Sequence, residues 1–270
     1  VAALLGAMPL NGRLDADVAV LELDEAHATH FVRTVKPRAA LLLNVMRDQL
    51  DRFGEIDYTA SLLHKVARAT TGTVVLNADD PRLAAPSFRA DLRADVRGFA
   101  VSPQLRSVFL SDDELHDSLD GCTLGQPKKD AEAKADTKAE STTETEPAEK
   151  PAQPLEIVAT LEEMMGRHAV IDLAGHRHEV DFAIPGAHNI LNATAAMGLV
   201  KELLGERTDE QALAASAAKV TAAFGRGELL SIDGQEVELG LVKNPAGFRM
   251  SLLSAAAVRS QQPPLIMIAI

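Results

Sequence analysis

The sequence predicts an α/β fold built on a mostly parallel sheet with helices on both faces. Two observations carry this. Short apolar runs recur at Val18–Leu23, Ala39–Asn44 and Thr73–Asn77, each continuous rather than alternating, as strands buried on both faces are. Between them lie stretches of helical character, Glu25–Thr34 and Glu55–Thr70, and strands alternating with helices imply parallel crossovers.

Taken in order, Val1–Leu10 reads as the last turns of a helix, and Val18–Leu23 as the first strand. The 25–34 helix leads to the 39–44 strand, and the 55–70 helix to the 73–77 strand. Asp95–Ala100 supplies a further strand. From Gly125 to Pro154 the chain holds Lys, Asp, Glu, Ala, Thr and Pro with no aromatic or large aliphatic residue. Such a stretch buries too little surface to offset its ordering, so about 125–154 reads as a disordered insertion. Strands follow near Leu155–Leu161, His168–Leu173 and Glu179–Ile184. Pro185-Gly186 then breaks the chain and opens a helix over Ala187–Leu204, with a second helix near Asp209–Val220. Phe224-Gly-Arg-Gly-Glu228 reads as a turn, Leu229–Ile232 and Glu236–Val242 as strands, Lys243–Phe248 as the opening of a helix to about Arg259, and Leu265–Ile270 as a final strand. The spacing places one domain over 1–226 and the beginning of a second over 227–270. Both ends read as cut.

Composition narrows the function classes. Of 270 residues 46% are hydrophobic, enough for one large or two ordinary domains. The formal charge of −12 argues against nucleic acid, whose phosphates need a basic surface. The single Cys122 excludes an intrachain disulfide and fits a reducing compartment. No apolar run approaches the ~20 residues of a membrane helix, so a cytoplasmic location is expected.

The chemistry-bearing residues cluster where strands end. Glu22 closes the first run, and a carboxylate there suits Mg²⁺, a hard cation with oxygen ligands; on these residues alone a solvated acidic turn is the better account of Glu22-Leu-Asp-Glu25. Asn44, Asp48 and Gln49 follow the second strand in a polar loop. Asn77 ends the third, and Asp80 before Pro81 is better read as a helix cap. His188, Asn189 and Asn192 stand in the first turns of the 187–204 helix, where backbone N–H groups have no helical partner. Asn189 and Asn192 are three apart, so both amides are expected on one face, suited to a planar hydrogen-bonding ligand such as adenine. Arg226 lies between two glycines, either as a bidentate grip on phosphate or as part of an exposed interdomain turn. Asn244 sits in a similar strand-to-helix turn. The remaining histidines show no metal spacing and read as surface residues.

Together these motifs resemble the Mur ligases. Gly186-Ala-His-Asn-x-x-Asn-x-x-Ala-Ala196 is similar to the family's nucleotide-binding helix motif, and Asn77-Ala-Asp-Asp-Pro81 and Phe224-Gly-Arg-Gly-Glu228 are similar to two others, in the family's order. Leu21–Glu25, Arg47–Arg52 and Lys243–Phe248 resemble one branch, the Mur-ligase-like subunits of lipid II isoglutaminyl synthases. The resemblance implies a Mur-ligase central domain followed by the start of a Rossmann-like C-terminal domain. It implies ATP and Mg²⁺ as cofactors, and amidation of the D-isoglutamate α-carboxylate of the lipid II stem peptide through an acyl phosphate. It also implies a class I glutaminase amidotransferase subunit as the source of ammonia, and a cytoplasmic protein peripheral at the inner face of the membrane where lipid II is.

Residue by residue, Glu22 is implied for Mg²⁺, and Asn44, Asp48 and Gln49 for the phosphate and metal region. Asn77, His188, Asn189, Asn192 and Arg226 are implied for ATP, and Asn244 for the substrate cleft. Ordinary Mur ligases usually have His where Gln49 stands. Many relatives carry a four-cysteine zinc ribbon that a single thiol cannot build, so no zinc is expected. No Gly-x-x-x-x-Gly-Lys-[Ser/Thr] loop occurs in these residues; the family's phosphate loop and catalytic Asp are expected outside Val1–Ile270, and the piece alone is expected to be inactive. The alternatives are another Mur-type amino-acid ligase and a non-catalytic nucleotide-binding scaffold.

Overall fold

A computed structural model describes residues 16–46, 55–111, 114–115, 154–221, 226–240, 242 and 245–257. Its main sheet has six strands in sequence order: β1 Ala39–Leu42, β2 Thr73–Asn77, β3 Asp95–Val101, β4 Glu156–Met165, β5 His168–Leu173 and β6 His176–Asp181. The first four run parallel, in register Ala39↔Thr73, Thr73↔Asp95 and Arg97↔Glu156. β5 and β6 are antiparallel, joined through Met165↔His168 and Leu173↔His176. The mostly parallel sheet expected from the continuous apolar runs is therefore present.

Helices cover both faces, and β2 shows why its run is unbroken. Val74 and Leu76 point into one core with Ile56 and Ala67 of α2 (Glu55–Ala69), Leu83 of α3 (Pro81–Ala84) and Phe88 of α4 (Pro86–Arg89). Val75 between them points into the opposite core with Phe99, Leu161 and Ile171. That core is closed by Ile190, Ala195 and Met197 of α5 (Ala187–Leu204) and by Ala214 and Ala217 of α6 (Glu210–Ala218). All three β2 residues are fully buried. Edge strand β6 instead buries Val180 while its neighbours face solvent, as an antiparallel strand with one wet face does. α5 presses so closely on β4 that a Cβ at Gly198 would lie 3.0 Å from Cβ of Ala159 and 3.2 Å from Cγ2 of Val158.

α1 (Glu25–Thr34) begins at Asp24, whose carboxylate accepts from the backbone N–H of His27 at 2.8 Å. That bond, with the His27 ring beside it, holds the Asp24 carboxyl below the usual range. α6 is capped in the same way by Asp209 through Ala212 N–H. Beyond it, β7 (Arg226–Ile232) and β8 (Gln235–Gly240) form a separate antiparallel hairpin, followed by α7 (Pro245–Ala257).

Four expectations are corrected. Val18–Leu23 is not a strand: Val18 is 72% and Val20 90% exposed. A strand takes its hydrogen bonds from a neighbour, and among the described residues β1 is the sheet edge, with no strand on its outer side. The strand read at 179–184 lies at 176–181, because the β5–β6 hairpin fixes register; Phe182 and Ile184 remain buried beyond its end. β4 runs on to Met165, its outer half held by β5. Phe224–Glu228 is not a turn throughout, since β7 starts at Arg226, paired with Gly240. The segments Val1–Leu10 and Leu265–Ile270, Cys122, and the 125–154 insertion up to residue 153 lie outside the described residues.

Candidate functional site

The C-terminal ends of β1 and β2 and the start of α5 enclose a cleft of about 750 Å³, its open mouth included. Parallel sheets put ligands here because the loops leaving neighbouring strands diverge at that end. Asn44, two residues past β1, and Asn77, the last residue of β2, line one side. His188 and Asn192, on successive turns of α5, line another. Val108, Phe109, Leu110 and Leu115, from the segment after β3, form an apolar wall with Leu191, and Arg249 and Met250 of α7 complete the lining. Apolar surface together with carboxamides suits a heteroaromatic ring.

The Asn77–Pro81 turn organises the cleft floor. Asn77 Oδ1 accepts from Asp79 N–H at 2.9 Å. Asp79 Oδ2 accepts from Val101 N–H at 2.7 Å, and Oδ1 pairs with Arg106 Nη1. Asp80 caps α3 through Oδ1, which accepts from Arg82 N–H (2.9 Å) and Leu83 N–H (3.1 Å). Its Oδ2 reaches back to Val45 N–H at 2.6 Å. Asp80 is therefore the helix cap its place before Pro81 suggested, and it also ties down the loop after β1. Burial pushes its carboxyl up from the ordinary value, and the three N–H groups pull back against that shift.

At the start of α5, Gly186 adopts φ +96°, a conformation that L side chains rarely take. A Cβ there would lie 3.1 Å from Cε1 of His188. Asn189 Nδ2 donates to the Pro185 carbonyl at 2.7 Å. The expectation that Asn189 and Asn192 present their amides together is thus corrected. Asn192 lines the cleft beside His188, one turn before it, whereas Asn189 turns its amide nitrogen back to hold the Pro185-Gly186 bend.

Other expected site residues lie elsewhere. Glu22 is exposed in the stretch before the Asp24 cap and does not line the cleft. Arg226 opens β7, and its side chain lies outside what the structure describes. Asp48, Gln49 and Asn244 lie outside the described residues. Among the described residues no three His, Cys, Asp or Glu side chains form a metal cluster. The two cleft carboxylates, Asp79 and Asp80, are already bound to backbone N–H groups.

Sequence reasoning missed Arg106 and Arg249. The signal for Arg249 was its place directly after the 243–248 helix opener; Arg106 had none. The histidines are mostly paired with acids: His64 with Asp91, His168 with Asp181, and His176 and His178 both with Oε2 of Glu210. Lys201 bonds the other oxygen of Glu210, and these three neighbours hold that carboxyl at about 2.

The family model for the Mur ligase middle domain matches residues 7–200. The lipid II isoglutaminyl synthase (glutamine-hydrolyzing) subunit MurT of Streptococcus pneumoniae (strain ATCC BAA-255 / R6) is 27% identical over 257 residues, which is 88% of this chain and 51% of that protein. The chain spans about half the length of the curated relatives it matches. Among solved structures, a pseudomurein peptide ligase type C from Methanothermus fervidus aligns over 91% of this chain and 47% of its own, with TM-score 0.59 and 17% identity. The MurF ligase of Thermotoga maritima in complex with ADP aligns over 85% of this chain and 41% of its own, with TM-score 0.53 and 15% identity. These two likenesses establish a shared fold.

Proposed function

The chain belongs to the Mur ligase family, and we propose that its cleft binds ATP for amidation of the D-isoglutamate α-carboxylate of lipid II. The observation that carries this reading is the meeting of Asn44, Asn77, His188 and Asn192 in one cleft at the ends of parallel strands. The similarity to a lipid II isoglutaminyl synthase subunit supports this choice of substrate. In the proposed reaction the carboxylate oxygen attacks the γ-phosphorus of ATP and releases ADP. Ammonia then attacks the acyl carbon, the C–O bond to phosphate breaks, and D-isoglutamine and phosphate leave after loss of a proton. A carboxylate oxygen is a poor leaving group and phosphate a good one, so the chain's task is chiefly positioning and charge stabilisation. A class I glutaminase subunit is proposed as the ammonia source.

His188 and Asn192 are proposed to contact the nucleotide directly, and Asn189, which is outside the cleft lining, is proposed for it on the family resemblance alone. Asn77 and Asn44 stand on the opposite side, with Asp48 and Gln49 proposed for the phosphate region. Arg226 is proposed for the phosphates and Asn244 for the substrate side. Mg²⁺ takes much of its shell from phosphates and water and needs one or two protein carboxylates. Glu22, which stands outside the cleft lining, is proposed as that carboxylate on the family resemblance alone. When bound, the ion would neutralise phosphate charge. The division of the chain is proposed at the start of β7, where the second sheet begins, with 1–226 as the ATP-binding central domain and 227–270 as the start of the next.

The test is Asn192→Ala. Asn192 is exposed and makes no structural bond among the described residues, so the variant should keep its thermal midpoint. Its ATP affinity should fall about tenfold, the equivalent of one lost hydrogen bond of about 1.4 kcal/mol. Titration calorimetry reads the affinity, and transfer of ¹⁵N from ammonium into lipid II reads the reaction. Unchanged ATP affinity would remove Asn192 from the site, and absence of ¹⁵N transfer by the complete protein would remove the amidation.

A further inference from the structure

Arg249 lies in the second turn of α7, in the part of the chain that follows the main sheet. Its guanidinium donates from Nη1 to the Val108 carbonyl at 2.8 Å and from Nη2 to the Ser107 carbonyl at 2.7 Å. These acceptors stand 141 and 142 positions earlier in sequence, in the segment that leaves β3 and forms the apolar wall of the cleft. The grip is a planar fork on two successive carbonyls, a geometry that only arginine supplies. No carboxylate pairs with Arg249 among the described residues, whereas Arg106, the other arginine of this region, is committed to Asp79. The contact therefore does not serve to neutralise charge. It fixes distance and angle between α7 and the wall.

That wall is also held by its own turn, in which the Val108 and Phe109 N–H groups donate to the Leu105 carbonyl, and at its two ends. Ser102 Oγ donates to the Glu162 carbonyl at its start, and the Ser111 N–H donates to Glu114 at its end. Between these anchors the carbonyls of Ser107 and Val108 accept the Arg249 fork, which ties the turn to α7. We propose that Arg249 is a positioning residue for the cleft, setting the apolar wall at the spacing that the bound nucleotide needs. This rests on the reading of the cleft as an ATP site. It predicts that losing the fork loosens the wall first and the nucleotide as a consequence.

The test uses the complete protein with Arg249→Ala and Arg249→Lys. In the nucleotide-free protein, amide hydrogen exchange over 105–111 should rise at least tenfold in Arg249→Ala. Exchange in β2 should stay unchanged. With ATP, lipid II and ammonium chloride, the KM for ATP should rise about tenfold while kcat changes less than threefold. Lysine reaches one carbonyl at a time, so Arg249→Lys should fall between wild type and alanine in both readouts. Unchanged exchange over 105–111 overturns the proposal whether or not ATP binds. Loosened exchange with unchanged KM for ATP also overturns it, leaving Arg249 a purely structural tie. If wild type itself shows no ATP binding while exchange rises, the ATP reading of the cleft has failed, and the positioning role falls with it.

Discussion

Replacing Asp80 with alanine tests the organisation of the cleft most directly. One carboxylate serves three backbone N–H groups: two in the first turn of α3, and that of Val45 after β1. Losing a helix cap costs ~1 kcal/mol. Val45 is 2% exposed, so its N–H would be left without water or protein acceptor, a loss of ~1–3 kcal/mol. The sum is about 2–4 kcal/mol, lowered somewhat because alanine also removes a carboxylate whose burial is unfavourable. Asp80→Asn sharpens the test. Asparagine caps helices as well as aspartate does, so it keeps the α3 cap and loses only the Val45 bond, at about half the cost. Urea denaturation followed by circular dichroism measures both variants. A loss below about 1 kcal/mol for Asp80→Ala, or equal losses for the two variants, would refute the assignment of two separable roles to this side chain.

Three further outcomes are expected. Gly198→Leu should lower the thermal midpoint by several degrees. A Cβ already meets β4 at 3.0 Å, and overpacking of this kind costs ~1–3 kcal/mol, more than the ~1 kcal/mol that leaving glycine gains in a helix. The Glu210 carboxyl sits at about 2 in the folded chain against 4.5 ordinarily. Its stabilising contribution is therefore complete above 4.5 and lost as pH falls from there towards 2. Urea midpoints at pH 6 and pH 3 should show a smaller acid loss in Glu210→Gln than in wild type. Asp80 has the opposite sign: its folded value is raised, so Asp80→Asn should gain relative stability as pH rises through that value, measured against wild type between pH 4 and 7.

The parts of the fold that were legible in the sequence depend on local signals. Thr73–Asn77, His168–Leu173 and Ala187–Leu204 begin and end where their apolar periodicity and flanking turn residues say. Val18–Leu23 carries an equally good strand pattern and is not one here, because hydrophobicity names a preference and not the neighbour that would satisfy it. The candidate site divides in the same way. Asn77, His188 and Asn192 could be picked out, because a strand end and a helix start are visible in sequence. The contacts of Arg249 could not, because its carbonyl partners stand more than 140 positions away. Nor could the diversion of Asn189, since spacing fixes the face of a helix residue but not whether its amide turns back to the preceding bend.

The Asn77–Pro81 motif shows what such a signature encodes. Read as residue types, it looks like a set of ligand-contacting polar groups. In the structure most of its hydrogen-bonding capacity is spent on the protein itself. Asn77 holds Asp79, Asp79 holds the end of β3 through Val101, and Asp80 holds both α3 and the loop after β1 through Val45. Three neighbouring strand ends are thereby fixed relative to one another by three side chains of one short turn. A buried N–H without a partner is costly, so each bond constrains the residue that makes it. The motif acts on the cleft chiefly as its frame, setting where Asn44 and Asn77 stand opposite His188 and Asn192. Substitutions at Asp79 and Asp80 should therefore disturb cleft geometry and stability together, whereas substitution at Asn192, which holds nothing in place among the described residues, should disturb binding alone.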